Sequence, residues 1–186
     1  MTLTDLKLER YSRNILLPEI GGTGQEKLLK SKVLVIGAGG LGSPVIMYLS
    51  ALGIGNITII DHDRVELSNL QRQIIHNTDK IGIYKSESAA SFINKLNPDI
   101  SITSINKKIN IKNADHLIST HDIIVDGSDN FETRYIVADS SFKNDKILVA
   151  AAINKFEGQI STWKRKIINT LVLDVYFQIN QIILKL

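Results

Sequence analysis

A glycine-rich loop between a short apolar run and a helical segment most constrains the fold of this chain of 186 residues. Residues 33–36 are all apolar, which is typical of a strand buried on both faces of a parallel sheet. Gly37, Gly39 and Gly42 follow in Gly-x-Gly-x-x-Gly spacing, and a helix is predicted over residues 43–52. Gly37 permits a tight turn, Gly39 allows close approach of phosphate, and Gly42 lets the helix pack near the sheet. This order predicts a strand–loop–helix unit of a Rossmann-like fold.

The same alternation of strand and helix continues along the chain. Further strands are predicted at residues 56–61, 100–105, 123–125 and 147–153, and further helices at residues 84–96, 112–119 and 130–143. Such a chain forms an α/β fold with a doubly wound, mainly parallel sheet. We expect an N-terminal helical segment over residues 1–30, a nucleotide-binding domain over residues 31–163, and a tail of different character over residues 164–186.

Composition excludes several function classes. With 44% apolar and 22% charged residues, the chain is typical of one globular domain. A net charge of +3 with scattered cations favours a solvated surface over a nucleic-acid interface. The absence of cysteine excludes disulfides, thiolate zinc sites and a catalytic thiol within these residues. Without a long apolar run or a secretory signal, we expect no membrane span and a cytoplasmic or similar compartment, such as the plastid stroma.

The glycine loop predicts a nucleotide site but leaves the nucleotide open. The N-terminus of the following helix presents free N–H groups to an anion. Asp61 ends the second predicted strand, nineteen residues after Gly42, where its carboxylate could accept hydrogen bonds from ribose hydroxyls. The alternative is that the glycines serve only a tight turn and that Asp61 caps a helix. On these residues alone, NAD and ATP are equally compatible with the loop.

An acidic segment after the fourth predicted strand favours ATP with magnesium. Asp126, Asp129 and Asn130 come at the edge where parallel sheets bind ligands. A carboxylate beside phosphates suits a magnesium complex of ATP. Asp129 has a structural alternative, because its spacing to Glu132 matches a helix capping box.

Two cations could complete a triphosphate site. Arg72 lies in the segment that follows the second strand, together with Asn69, and Lys85 comes thirteen residues later. At the ligand edge they would neutralise charge on a pyrophosphate leaving group, although each alone could be a solvated surface residue. His62 and His76 are most simply surface or hydrogen-bonded histidines, because no further ligand lies at metal-binding spacing.

Five motifs in order make the chain resemble one enzyme family. They cover residues 9–21, 37–42, 61–63, 68–73 and 126–135. Together they are similar to the ThiF/MoeB/HesA adenylyltransferases, relatives of the ubiquitin-activating enzymes, and most of all to the molybdopterin-synthase adenylyltransferase branch. The resemblance covers roughly residues 8–162.

The resemblance implies that ATP and Mg²⁺ serve to adenylate the C-terminal glycine of a ubiquitin-like sulfur-carrier protein ending in Gly-Gly, with release of pyrophosphate. It further implies a homodimer in which Arg13 reaches the partner's phosphate site. Asp61 would hold the ribose, Gly39 and Gly40 would approach the nucleotide, and Asp129 would engage magnesium with Asn130 beside it. The implied phosphate contacts are Asn69, Arg72 and Lys85.

The family pattern changes from Thr162 onwards. Members continue into paired Cys-x-x-Cys zinc ligands and a loop that docks the partner. This chain has no cysteine, so zinc is not expected here. We expect either a truncated product or a short variant in which residues 171–179 form a replacement strand. The alternative functions are an inactive nucleotide-binding or dimerisation module, a thiamine-pathway adenylyltransferase, and a nicotinamide-dependent oxidoreductase.

Overall fold

The structure, a computed structural model, describes residues 3–164 and a short strand at residues 184–185. Its helices are α1 Asp5–Arg10, α2 Ser12–Ile15, α3 Gly21–Lys30, α4 Gly42–Leu52, α5 Lys85–Leu96, α6 Ala114–Ser119 and α7 Phe131–Lys143. Its strands are β1 Lys32–Ile36, β2 Asn56–Ile60, β3 Ser101–Ile105, β4 Ile123–Asp126, β5 Ile147–Asn154, β6 Glu157–Trp163 and β7 Leu184–Lys185. Short 3₁₀ turns occur at Leu67–Asn69 and Thr78–Lys80.

The strands form a single sheet in the order β3-β2-β1-β4-β5-β6-β7. The five strands from β3 to β5 are parallel, whereas β6 and β7 run antiparallel to their neighbours. The predicted doubly wound, mainly parallel sheet is therefore confirmed. The chain adds strands to one side of β1 and then returns to β4 on its other side. The carboxyl ends of β1 and β4 thus form the topological switch point, where open α/β sheets bind their ligands.

Apolar side chains on the two faces of the sheet form two cores. Val33 and Val35 of β1 face one side, where they cluster with Ile46 of α4 and Ile93 of α5. The alternate residues of β1 face the other side, and there Leu34 packs in a cluster that includes residues of α6 and α7. This strand is buried on both faces, as its continuous apolar run predicts.

The N-terminal helices pack at the end of the sheet that is opposite the switch point. The Tyr11 ring is buried, and its hydroxyl accepts a hydrogen bond from Asn97 Nδ2 at 2.9 Å. Gln25, also fully buried, donates to the carbonyl of Leu52 at the end of α4. The predicted N-terminal helical segment is confirmed in three short helices, and these contacts tie it to the ends of α4 and α5.

The C-terminal part contains β6, a strand that was not predicted, which pairs along its whole length with β5. The predicted strand at residues 171–179 lies outside the described residues, and the segment boundaries after residues 30 and 163 stay predictions. Over residues 3–164 no helix combines the length and apolar character needed to cross a bilayer.

Candidate nucleotide-binding site

A cleft of roughly 690 Å³ opens at the switch point. It is lined by the last residues of β1 and β2 and by the turns that follow β1, β2 and β4. Its size falls in the usual range for small-molecule sites, about 300–1,000 Å³. Nine of the predicted site residues line this cleft: Gly37, Gly39, Gly40, Asp61, Asn69, Arg72, Lys85, Asp129 and Asn130. Residues as far apart in the sequence as Gly37 and Asn130 therefore share one cleft.

The glycine loop presents unbonded backbone donors to the cleft. Gly37 has φ of +88°, in the left-handed region that favours glycine. A Cβ atom on Gly42 would lie only 1.9 Å from the Gly37 carbonyl oxygen, so the start of α4 packs directly against the loop. Within residues 3–164, neither the Gly39 nor the Gly40 N–H has a hydrogen-bond acceptor. Free N–H groups at a helix N-terminus are a site for phosphate.

Asp61 braces the glycine loop from the end of β2. One carboxylate oxygen, Oδ2, accepts a hydrogen bond from the Ala38 N–H at 2.7 Å, and Oδ1 accepts one from the Asp63 N–H at 2.8 Å. Neither N–H belongs to a helix, so the alternative that Asp61 caps a helix is wrong. Its predicted contact with a ribose stays a prediction, and the structure adds that the same carboxylate orients the loop.

The segment that follows β2 supplies polar groups from the side. Asn69 is buried, and its Oδ1 accepts a hydrogen bond from the Glu66 N–H at 3.2 Å. The exposed Arg72 side chain lies beside the glycine loop, 3.7 Å from where a Cβ on Gly40 would be. Gln73 Oε1 is buried and lacks a hydrogen-bond partner among the residues described. A donor on a bound ligand would satisfy this atom.

Lys85 is the first residue of α5, and its ammonium group is held at the cleft. Its side chain is 8% exposed, and Nζ lies 2.9 Å from Asp63 Oδ2. Asp61, His62 and Asp63 offer three ligand atoms close enough together for a metal ion. However, the Asp63 carboxylate already binds Lys85, and the Asp61 oxygens accept backbone N–H groups. These three residues are therefore less suited to magnesium than a free carboxylate.

The acidic turn after β4 is held from beneath by a buried carboxyl group. Asp126 is 1% exposed, and its Oδ1 accepts a hydrogen bond from the Ser128 N–H at 2.9 Å. Burial raises the pKa of Asp126 above its ordinary value, an effect opposed by the Ser128 hydrogen bonds and by the charge of Arg134. The Arg134 guanidinium donates to the carbonyl oxygens of Ser128 and Ala151. Thus the turn that carries Asp129 is fixed to both β4 and β5.

The capping box predicted at Asp129 and Glu132 is wrong. Helix α7 begins at Phe131, and its N-cap is Asn130, whose Oδ1 accepts a hydrogen bond from the Thr133 N–H at 2.9 Å. Because the cap lies one residue later, the exposed Asp129 carboxylate makes no hydrogen bond or ion pair within residues 3–164. It is therefore free to face a cation.

Arg13 is the one predicted catalytic residue that the structure does not bring to the cleft. It is exposed on α2, at the opposite edge of the sheet. The neighbouring Asn14 donates a hydrogen bond to the Leu52 carbonyl at the far end of α4. A contact between Arg13 and bound phosphate therefore requires a second copy of the chain, and that contact stays a prediction.

Four further cations line the cleft, and none of them was predicted from the sequence as a site residue: Arg64, Lys107, Lys108 and Arg134. With Arg72 and Lys85 they make six cations, against four carboxylates in the lining. Lys107 and Lys108 follow β3 after one intervening residue, Asn106, at the same edge as Asp61 after β2. This position after a parallel strand is the sequence feature from which they could have been predicted. The excess of positive charge favours a polyanionic ligand.

These groups fit ATP with magnesium. The unbonded N–H groups of the glycine loop and the surplus of cations suit a chain of phosphates. Magnesium prefers a few carboxylate ligands together with phosphate oxygens, and Asp129 offers an unpaired carboxylate on the same cleft. Asn130 has its side-chain oxygen engaged in capping α7, so only its amide nitrogen is left to contact a ligand beside Asp129.

Comparison with known proteins assigns the chain to a family. The profile of the ThiF family matches residues 11–178, most of the chain. The chain belongs to the ThiF family. The match runs past Thr162, the residue from which the family pattern was expected to change. Membership agrees with the resemblance seen in the five motifs, and it argues against the nicotinamide-dependent oxidoreductase.

Curated relatives in this family share nearly half of their aligned residues with the chain. It is 46% identical over 162 residues to a SAMP-activating enzyme E1 of Haloferax volcanii, covering 87% of this chain and 60% of that enzyme. It is also 46% identical over 154 residues to a probable molybdopterin-synthase adenylyltransferase of Porphyra purpurea, covering 83% of this chain and 40% of that protein. The chain thus spans about half the length of these relatives.

Solved structures show the same fold with lower identity. The E. coli tRNA N6-threonylcarbamoyladenosine dehydratase TcdA, determined in complex with ATP, superposes with a TM-score of 0.77 at 26% identity. The match covers 87% of this chain and 65% of TcdA.

Proposed function

We propose that this chain binds ATP with magnesium in the cleft and adenylates the C-terminal glycine of a ubiquitin-like sulfur-carrier protein. The observation that carries the proposal is the convergence of three groups on one cleft. These are the glycine loop with unbonded N–H donors, six cations, and the unpaired Asp129 carboxylate. The relative named as a molybdopterin-synthase adenylyltransferase and the TcdA complex with ATP support the same assignment.

The proposed reaction needs positioning and charge stabilisation rather than a protein nucleophile. An oxygen of the carrier's C-terminal carboxylate attacks the α-phosphorus of ATP. The bond from that phosphorus to the pyrophosphate oxygen breaks, which gives an acyl-adenylate and pyrophosphate. The N–H groups of Gly39 and Gly40 donate hydrogen bonds to phosphate. Arg72 and Lys85 neutralise the negative charge that grows on the leaving pyrophosphate. Magnesium, when bound beside Asp129, supplies further neutralisation of phosphate charge.

The remaining roles complete this proposal. Asp61 accepts hydrogen bonds from the ribose while it holds Ala38, and Asn69 contacts a phosphate oxygen. In a homodimer, Arg13 of each protomer reaches the phosphate site of the other, which accounts for its distance from its own cleft. The proposed partner is a carrier of the molybdopterin-synthase small-subunit type, and a thiamine-pathway carrier is the alternative.

ATP is expected to bind at least about tenfold more tightly than NAD, and only ATP should depend on added magnesium. The reason is charge: ATP presents three phosphates, and NAD two, to a cleft whose described lining has six cations against four carboxylates. Competition of ATP and NAD for a fluorescent ATP analogue measures this directly. Equal displacement by the two nucleotides, with or without magnesium, would contradict the proposed ligand.

Exchange of labelled pyrophosphate into ATP in the presence of a carrier ending in Gly-Gly tests the reaction itself. ATP affinity is measured on the same preparation. Exchange that requires the carrier supports adenylation, and a panel of molybdopterin- and thiamine-type carriers separates the two pathways. ATP binding without exchange for any carrier would support the nucleotide-binding or dimerisation module instead. Failure to bind ATP would contradict both.

A further inference from the structure

We propose that His76 is a positioning residue that sets the glycine loop for nucleotide binding by holding the Ala38 carbonyl group. His76 does not line the cleft, and the imidazole is buried beneath it with 6% exposure. Its Nε2 lies 2.9 Å from the Ala38 carbonyl oxygen, and its Nδ1 lies 2.9 Å from Ser88 Oγ. A carbonyl oxygen only accepts hydrogen bonds, so Nε2 carries the proton and Nδ1 accepts one from the Ser88 hydroxyl.

Ala38 is fixed at both ends by groups from two different segments. Its N–H donates to Asp61 Oδ2 at 2.7 Å, and its carbonyl oxygen accepts from His76. The Ala38 carbonyl belongs to the same planar peptide group as the Gly39 N–H, so holding that oxygen sets the direction of this donor. The next peptide group, which carries the Gly40 N–H, is held separately, because the Gly39 carbonyl oxygen accepts hydrogen bonds from the Ser43 N–H and Oγ. Within residues 3–164 neither N–H has an acceptor, and His76 therefore acts on the first of the two donors.

His76 also joins the loop to the other side of the site. Its backbone N–H donates to the Gln73 carbonyl oxygen at 3.1 Å, so it closes the turn that carries Arg72. Ser88 lies on the first turn of α5, which begins with Lys85. His76 therefore links the glycine loop and the helix that carries Lys85 through its ring, and the Arg72 segment through its backbone. Loss of its hydrogen bonds should loosen the loop first, because the helix and the turn have their own backbone hydrogen bonds.

The surroundings of His76 keep it neutral. Burial lowers the pKa of His76 below its ordinary value of 6.5, and the Lys85 charge adds to this. The Ala38 hydrogen bond and the Asp61 charge act in the opposite direction. Lys85 itself is paired with Asp63. Protonation would leave a buried positive charge beside Lys85 and would change the hydrogen bonding with Ser88. The positioning by His76 thus rests on the neutral ring, whose Nε2–H already donates to the Ala38 carbonyl oxygen.

His121 provides a matched control. It is also buried, and its nitrogens bind the same pair of group types in exchanged positions: Nε2 lies beside Thr58 Oγ1, and Nδ1 lies beside the Leu117 carbonyl oxygen. Burial lowers the pKa of His121 as well. It does not line the cleft and makes no contact with the glycine loop. A general effect of removing a buried histidine would appear equally at both positions.

The test compares His76→Gln and His76→Asn with the same changes at His121. A glutamine amide can reach the place of Nε2 and donate to Ala38, whereas the shorter asparagine reaches only the place of Nδ1. Hydrogen–deuterium exchange of residues 37–43 in the nucleotide-free protein is the first measurement. We expect faster exchange in His76→Asn, exchange close to wild type in His76→Gln, and no change in either His121 variant. Exchange unchanged in His76→Asn, or equally fast in His121→Asn, would overturn the inference.

ATP affinity is the second measurement, and this arm rests on the proposed function. His76→Asn should weaken ATP binding about tenfold, the effect of one lost hydrogen bond at a buried carbonyl, and His76→Gln should restore most of it. ATP binding by wild type that neither variant alters would overturn the inference, whereas no binding by wild type would overturn the proposed function and leave the exchange measurement to decide.

Discussion

Replacing Gly42 with alanine is expected to destabilise the protein by about 3 kcal/mol or more, and to abolish nucleotide binding. The added Cβ would lie 1.9 Å from the Gly37 carbonyl oxygen and 2.8 Å from its carbonyl carbon. The obstacle is backbone, so neither atom can move without displacing the glycine loop from α4. Intrinsic helix propensity acts in the opposite direction, because alanine favours a helix by about 1 kcal/mol over glycine. Chemical denaturation and ATP titration of the variant measure the two effects.

Gly22 offers the matched control. It lies in α3, has no neighbouring atom within 4 Å of a Cβ, and does not have a positive φ. Here alanine should stabilise the protein by up to about 1 kcal/mol. The same substitution should thus change the free energy of unfolding in opposite directions at the two positions. A Gly42→Ala protein as stable as wild type would show that α4 does not pack against the loop as described.

Lys85→Met is expected to reduce carrier-dependent pyrophosphate exchange about 100-fold or more. The substitution keeps most of the side-chain volume and removes the ammonium group that is 2.9 Å from Asp63. Only 8% of the Lys85 side chain is exposed, so its charge acts on the cleft with little screening by solvent. The loss should appear in the rate of exchange more than in stability, because methionine packs in the same space.

Lys95→Met is the control for this substitution. Lys95 is exposed in the last turn of the same helix and does not line the cleft. Its removal should leave exchange within about twofold of wild type and should change stability by less than about 0.5 kcal/mol. Equal losses at the two lysines would mean that helix charge, rather than a phosphate contact, explains the effect.

The parallel sheet was predictable because its strands follow one rule. Buried strands read as short apolar runs, and the strands predicted over residues 33–36 and 123–125 differ from β1 and β4 by one residue at one end. Strand β6 follows a different rule, since it returns antiparallel to β5 through the two-residue turn Lys155-Phe156. Lys155 adopts φ of +56° there, where the recognisable hairpin signal would be asparagine or glycine. The turn is therefore imposed by pairing with β5 rather than by local sequence.

The candidate site, too, has residues that could be predicted from the sequence and contacts that could not. Residues at strand ends, such as Asp61, could be assigned because parallel strands bring their carboxyl ends together. The cap of α7 could not be assigned, because Asp129 and Asn130 are both good capping residues and only the position of the helix start decides between them. The contact of His76 with Ala38, which joins residues 38 positions apart, could not be predicted either. It depends on how two turns pack beneath the cleft.

The proposed adenylation depends most directly on Asp129, because its carboxylate makes no hydrogen bond or ion pair with any other residue that the structure describes. The decisive measurement is pyrophosphate exchange into ATP, with a Gly-Gly carrier, for wild type, Asp129→Ala and Asp139→Ala. Asp139 is an exposed acid on α7 that does not line the cleft. Wild type and Asp139→Ala should exchange at similar rates, whereas Asp129→Ala should fall about 100-fold or more with unchanged stability. Undiminished exchange in Asp129→Ala would contradict the assignment of this cleft as the adenylation site.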